Sequence, residues 1–290
     1  MLLYLNGDYL PAERASLSVL DRGFLFGDGI YEVTRVVGGV PFEEGRHYER
    51  LVRSLRGLRL AEAGAEPATL AAVSARLLRE NDLLEGEATI YVQVTRGAAP
   101  RTHAFPVPAV GTTVFVSTAR FVPNAQMREK GVAVITTPDI RWARCDLKTV
   151  NLLPNVLAKQ AAVDAGAFEA IFVRDGVVTE GAHTNLFGVV DGVVRTYPRC
   201  NYILGGITRD VVIELAAEAG IPLREEPLLA DDLARAEELF ITGTTTDVTS
   251  VVQVDGRPVA AGRPGPVARR LYELLAARMR AGAASATTTA

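Results

Sequence analysis

Lysine is almost missing from this 290-residue sequence: of 31 basic residues only Lys130, Lys148 and Lys159 are lysines, and arginine supplies the rest. Positive charge alone is thus met with a guanidinium, whose pKa is too high for it to lose a proton in a protein. A surviving lysine raises a different question, whether a neutral primary amine is needed, because only such an amine can attack a carbonyl. Cysteine is as sparse. Cys145 and Cys200 make no disulfide framework, which fits a reducing compartment. No apolar run approaches the ~18–20 residues of a membrane span, and the chain opens on the strand-like MLLYL without a charged leader. No excess of one charge exists either. With 31 basic and 34 acidic residues mixed along the length, the net charge is −3, which argues against a nucleic-acid-binding tail or a polybasic membrane patch. The expectation is a cytoplasmic enzyme without nucleic-acid, membrane or metal partners. Its hydrophobic content of 48% suffices for a sizeable core.

Hydrophobic periodicity predicts two lobes: a smaller mixed α/β domain over residues 1–120, a linker at 121–124, and a larger domain over 125–280 with a mostly β core flanked by helices. The low-complexity tail at 281–290 is expected to be disordered. In the first lobe the Asn6-Gly7 pair between apolar runs signals a hairpin. Strands are predicted at 30–37, 88–96 and 112–119, and helices at 46–58 and 69–83. The Pro- and Gly-rich stretch 97–106 is long for a simple connection and is therefore a functional suspect. In the second lobe strands are predicted at 132–136, 170–174, 185–190, 193–197 and 239–242, with helices at 155–165, 208–219 and 266–279.

Several residues carry chemistry. Lys130 reads as part of a solvated turn and Lys159 as a helix-surface residue, whereas Lys148 sits in 139–153, an aperiodic segment holding the only tryptophan, Trp142. The segment LGGITRD at 204–210 leads into a helix, so its glycines and the helix N-terminus can receive an anion, and Thr208 can cap the helix and offer a hydroxyl. A second candidate loop, 242–247, follows an apolar strand. Neither fits a Walker or dinucleotide motif, which favours a smaller phosphorylated ligand. Glu180 ends a strand before Gly181; read alone, it is a hairpin glutamate. Arg101 and His103, read alone, are solvated loop residues.

In order and spacing, the segments DRGFLFGDGIYE (21–32), QVTRG (93–97), RTH (101–103), CDLK (145–148), TEG (179–181) and GITRD (206–210) resemble the fold-type IV pyridoxal-phosphate enzymes. This group contains the branched-chain and D-amino-acid aminotransferases and aminodeoxychorismate lyase, and the D-amino-acid (D-alanine) aminotransferases are the most similar subfamily. The resemblance runs from about Leu5 to Val254. It implies a two-lobed homodimer with pyridoxal 5′-phosphate between the lobes. Lys148 would hold the cofactor as a Schiff base and move a proton at the substrate Cα. Glu180 would keep the pyridine nitrogen protonated. Arg50, Ile207, Thr208 and Thr244 would meet the phosphate, and Leu204 would support the ring. Tyr31, Arg101 and His103 would bind the substrate carboxylate, with the Arg101/His103 loop arriving from the partner subunit. The substrates would be small amino and 2-oxo acids.

The sequence departs from the family where serine commonly follows the Glu-Gly pair; here Ala182, His183 and Thr184 follow. The Ser-Gly-Glu-Asn pattern of branched-chain enzymes is absent. The rival readings are a branched-chain L-aminotransferase, an (R)-selective amine transaminase, aminodeoxychorismate lyase, and a non-catalytic binder of a phosphorylated ligand.

Overall fold

The computed structural model describes residues 1–288. The chain is mixed α/β and separates into two compact units. The first comprises Met1–Val122, Leu147–Asn151 and the chain from Arg280 onward; the second comprises Pro123–Asp146 and Leu152–Met279. One segment therefore corrects the domain boundaries expected from sequence: Leu147–Asn151, with Lys148, groups with the first unit although it lies far inside the stretch given to the second.

The first unit is built on an antiparallel sheet whose strands run in the order Asp8–Pro11, Leu2–Leu5, Thr113–Arg120, Glu87–Thr95, Gly29–Val37, Val40–Pro41. Asn6 and Gly7 both take positive φ (51° and 104°), the two-residue hairpin turn that the Asn-Gly pair favours. Alternation decides the buried face: Ile30 and Val36 on one strand, Ile90, Val92 and Val94 on the next, and Val114 and Val116 on the third all point into one core. Helices Glu44–Gly57 and Pro67–Glu80 cover that face with Leu51, Leu55, Leu70 and Leu77. The Val40–Pro41 strand pairs only with Val36 and Val37, so the beginning of Gly29–Val37 is open on that side. The segment around Lys148 fills this edge.

The second unit holds a mixed ten-stranded sheet in the order Leu223–Arg224, Val193–Thr196, Asn185–Val190, Glu238–Gly243, Asp247–Val254, Val132–Pro138, Glu169–Arg174, Val177–Gly181, Leu228–Leu229, with Arg257–Pro258 pairing to Asp247–Val254. Its core includes Val134, Ile171, Leu186, Leu239, Ile241 and Val251. Helix Ile207–Glu218 belongs to this unit, as does Leu153–Asp164. Lys130, expected in a turn, ends a short helix, Ala125–Lys130.

The last helix runs Pro266–Thr288, so the stretch from residue 281 expected to be disordered is helical as far as Thr288; Thr289 and Ala290 lie outside the described residues. Among the described residues no helix is long and apolar enough to cross a membrane.

Candidate active site

In the first unit Lys148 is placed by its main chain. Its carbonyl accepts from Tyr31 N–H (3.0 Å), and two residues on Val150 N–H donates to Gly29 O (3.1 Å). The Lys148 N–H donates to Ser54 Oγ at 3.2 Å. Leu147 lies against Gly57, where a Cβ would come within 2.4 Å of its Cδ2. These contacts fix the backbone and leave the side chain half-buried, with Nζ 4.2 Å from the centre of the Tyr31 ring. Tyr31 in turn stacks on Tyr91 (5.8 Å). The structure thus brings Lys148 and Tyr31 together.

Arg50 is no surface arginine: it is 3% exposed on the inner face of helix Glu44–Gly57. Its Nε donates to Glu32 Oε2 (2.8 Å) and its Nη2 to Glu32 Oε1 (2.5 Å). His47, one turn earlier on the helix, places Nδ1 3.0 Å from the same Glu32 Oε1. Burial by itself would raise the pKa of Glu32, but the Arg50 charge and the bonds from His47 and Arg50 outweigh it and hold the carboxyl well below the usual range. Burial pushes the His47 imidazole down, against the pull of Glu32. Both groups therefore bind fewer protons folded than unfolded, and the stability they contribute is lost on acidification. The loss begins as pH falls through the ordinary histidine value of 6.5 and continues through the ordinary carboxyl value of 4.5. Replacing Glu32 with glutamine strands a buried guanidinium, so the chain should lose about 3–5 kcal/mol of stability at neutral pH. Urea unfolding of the two proteins at pH 7.5 checks this, and a difference below about 1 kcal/mol would refute it.

Arg101 and His103 lie exposed on the loop after strand Glu87–Thr95 and share a neighbour. The Arg101 guanidinium stands 5.1 Å from the Phe26 ring centre, and the His103 ring 5.6 Å from it. Among the described residues neither makes a hydrogen bond or ring contact with Tyr31 or Lys148.

In the second unit the centre is Glu180, on strand Val177–Gly181 and 4% exposed. Arg141 Nη1 donates to its Oε1 at 2.5 Å. Its Oε2 accepts from Asn185 Nδ2 (3.0 Å) and Leu204 N–H (3.0 Å). Asn185 Nδ2 also bonds Leu204 O (2.9 Å), so Glu180 and the entry to the 204–210 segment form one hydrogen-bonded group. Arg141 is committed elsewhere: its Nε and Nη2 each reach Asp139, both at 2.9 Å. Glu180 therefore receives one cationic nitrogen, where Glu32 receives Arg50 twice and His47 besides. Burial wins at Glu180, and its pKa is pushed up to about 7 in spite of Arg141 and the Leu204 N–H.

Ile207 and Thr208, both buried, open helix Ile207–Glu218. The cap is Gly206, which offers no side-chain hydrogen bond; Thr208 lies inside the first turn and does not cap. A Cβ on Gly206 would come within 2.1 Å of Asn185 Oδ1, so glycine is required beside the Glu180 group. Strand Glu238–Gly243 pairs Thr242 with Asn185 and ends at the turn that carries Thr244. Thr242 buries its hydroxyl without a hydrogen-bond partner among the described residues. The departure at His183 has a local use: its Nδ1 lies 2.7 Å from Glu169, a carboxylate that also accepts from Thr184 Oγ1 at 3.0 Å.

The polar partners were not identified from sequence: Arg141 and Asn185 for Glu180, and for Arg50 the carboxylate of Glu32, which His47 also contacts. Arg141 had one signal, as the charge two residues after Asp139 in a segment that forms no regular element. Lys159 donates to Phe168 O and lies over the Phe168 ring at 4.1 Å.

Residues 29–254 match the family described as amino-transferase class IV. The D-alanine aminotransferase of Staphylococcus aureus is 42% identical over 271 residues, which is 93% of this chain and 95% of that protein. The D-alanine aminotransferase of Bacillus licheniformis is 39% identical, covering 95% of this chain and 96% of its own. Among solved structures, the branched-chain amino acid aminotransferase of Escherichia coli superposes with a TM-score of 0.85 at 28% identity, over 94% of this chain and 92% of that one. A branched-chain amino acid aminotransferase from T.th., solved with N-(5′-phosphopyridoxyl)-L-glutamate, gives 0.84 at 32% identity, over 96% and 94%. The chain belongs to the class IV aminotransferases.

Proposed function

We propose that this chain is a pyridoxal 5′-phosphate-dependent transaminase of D-amino acids, passing the amino group of a D-alanine-type donor to a 2-oxo acid of the 2-oxoglutarate type. The observation that carries the reading is Lys148: in a chain that avoids lysine, this one is held by its main chain while its amine stays half-buried over Tyr31. The S. aureus and B. licheniformis relatives bear the corresponding name.

The residues fit the cofactor. Glu180 is a buried carboxylate with a single cationic nitrogen on it and room in its titration for a second cation. The helix at Ile207 lacks a side-chain cap, and Thr242 holds an unpartnered buried hydroxyl near the same turn as Thr244. When bound, pyridoxal phosphate accepts into its ring the electron pair left as the substrate Cα–H bond breaks. Lys148 would hold the cofactor through Nζ, and the same amine would take the proton from the substrate Cα and return it. Within the second unit Glu180 would hold a proton on the ring nitrogen, Ile207, Thr208 and Thr244 would serve the phosphate, and Leu204 would back the ring. Within the first unit Arg50, whose guanidinium Glu32 and His47 orient, is a further phosphate residue on this reading.

Arg101, His103 and Tyr31 bind the substrate carboxylate. Charge-assisted hydrogen bonds from a guanidinium are worth about 1.5–3 kcal/mol each. With the carboxylate fixed there and the proton acceptor fixed at Lys148, only one enantiomer presents its Cα hydrogen to Nζ. The loop is supplied by the partner of a homodimer, a reading supported by Val19, Phe24 and Val107, large apolar side chains of the first unit left exposed in the single chain.

The test is a half-reaction. D-alanine and L-alanine are added separately to the cofactor-loaded protein without acceptor, and the long-wavelength cofactor absorbance is followed. D-alanine alone should bleach it. Bleaching by L-alanine at equal rate removes the D-assignment, and absence of a cofactor band after loading removes the enzyme assignment.

A further inference from the structure

The loop that carries Arg101 and His103 exposes both of them along with Thr102 and Ala104, so it has little core of its own to give it one conformation. It is held from beneath by a buried arginine. Arg22, 3% exposed, donates from Nη1 to Thr102 O (2.6 Å) and Ala104 O (3.4 Å), and from Nη2 to His103 O (3.4 Å). Three consecutive carbonyls thus turn toward one guanidinium.

The guanidinium is itself fixed. Its Nε donates to Asp28 Oδ2 at 2.8 Å, and Arg96 holds the same carboxylate through Nε on Oδ2 (2.8 Å) and Nη2 on Oδ1 (3.0 Å). Arg96 also covers the Phe105 ring at 3.7 Å, which fastens the far end of the loop. The near end is laddered to the same segment, with Arg22 N–H on Gly97 O (2.9 Å) and Ala99 N–H on Leu20 O (3.2 Å). Phe26, at the end of the helical turn that Arg22 begins, is a common plate: Arg22 lies 4.7 Å from its ring centre, beside the Arg101 and His103 contacts already described.

We infer that Arg22 is a positioning residue for substrate binding: by drawing the carbonyls of 102–104 inward it holds Arg101 and His103 in the geometry that grips a carboxylate. The inference rests on the assignment of Arg101 and His103 to the carboxylate. Two arginines on one aspartate give the cluster a net positive charge, which the three inward carbonyl dipoles offset. The loop is thereby ordered before the substrate arrives, and less binding free energy goes into ordering it.

Arg22→Lys keeps the charge, but a single ammonium cannot serve three carbonyls and Asp28 together. In the cofactor-loaded enzyme KM for both the D-amino acid and the 2-oxo acid should rise about tenfold, with kcat within about twofold of the parent, because both substrates carry the carboxylate. Trypsin should cut the Arg101–Thr102 bond at least about tenfold faster in the variant, a readout independent of activity. Unchanged KM values and an unchanged cleavage rate overturn the inference, as does a loss of kcat at constant KM. Arg101→Ala, assayed in parallel, reports on the underlying assignment alone: if its KM values match the parent, the carboxylate reading has failed and the inference falls with it. If Arg22→Lys does not fold, Phe26→Leu carries the test. It removes the plate on which Arg22 and Arg101 lie while keeping both charges, and a rise of about threefold or more in both KM values supports the inference, while unchanged values overturn it.

Discussion

Replacing Lys148 with alanine should lower transamination by about 10⁴-fold or more, since one substitution removes both the covalent anchor and the base that moves the Cα proton. Lys148→Arg should be equally inactive, because a guanidinium keeps the charge but neither attacks a carbonyl nor gives up a proton. Neither change should unfold the chain. The ladder to Gly29 and Tyr31 and the bond to Ser54 use the main chain of this segment, and the side chain contributes only its place over Tyr31. The measurements are kcat with D-alanine and 2-oxoglutarate, and thermal unfolding of each variant. Borohydride reduction of the loaded parent, followed by peptide mass mapping, should place the cofactor on the peptide containing Lys148. Lys159 is tied to the Phe168 carbonyl and ring and should stay unlabelled. Residual activity above about 1% in Lys148→Ala would sink the mechanism, for it exceeds what general acid–base catalysis by a substitute group supplies.

Glu180→Gln should reduce kcat by about 10²–10³-fold, because a neutral amide cannot hold a proton on a basic ring nitrogen buried against it. The arrangement also predicts a pH signature. Burial pushes Glu180 up to about 7, above the ordinary value of 4.5, so the folded cofactor-free chain holds this proton more tightly than the unfolded chain does. The stability it contributes is complete below the ordinary value and disappears as pH rises through about 7. A bound cation removes that deficit. The rise in melting temperature on loading the cofactor should therefore be larger at pH 8 than at pH 5.5 in the parent, and the difference should shrink in Glu180→Gln. A parent whose shift is independent of pH would show that the cofactor brings Glu180 no cationic partner beyond Arg141.

How far a sequence reveals such a site depends on whether a group works alone or through a partner. Lys148 stood out because lysine is rare in the chain and this one lies in an aperiodic segment, and the loops at 204–210 and 242–247 because glycine and threonine cluster after apolar runs. The hairpin at Asn6-Gly7 was legible because its turn demands positive φ at both positions. Counter-charges were not. Nothing near Glu180 in sequence announces Arg141, and nothing near residues 102–104 announces Arg22, because each pairing is made by the return of a distant strand or turn. Strand Asp247–Val254 went unread for a related reason. Its Thr249 and Ser250 are polar, yet both are buried in the middle of the sheet, and Thr249 Oγ1 settles its hydroxyl on Thr246 O at 2.7 Å. The alanines after residue 281 read as low complexity, whereas alanine is also the residue that loses least on entering a helix.

The edge position taken by Leu147–Asn151 bears on how the enzyme can be cut, built and folded. A fragment ending at Val122 would retain the sheet and both its covering helices but would leave the start of Gly29–Val37 bare and would lack the amine altogether. No single break in the polypeptide releases the first unit whole, so it cannot be inherited, swapped or expressed as a module in the way its compact core suggests. During synthesis the ribosome completes that core well before the segment bearing Lys148 is made. Lys148 reaches its place beside Tyr31 only through a long-range closure, one of the slower kinds of event in folding. A nascent chain can therefore complete its first core before Lys148 has been made.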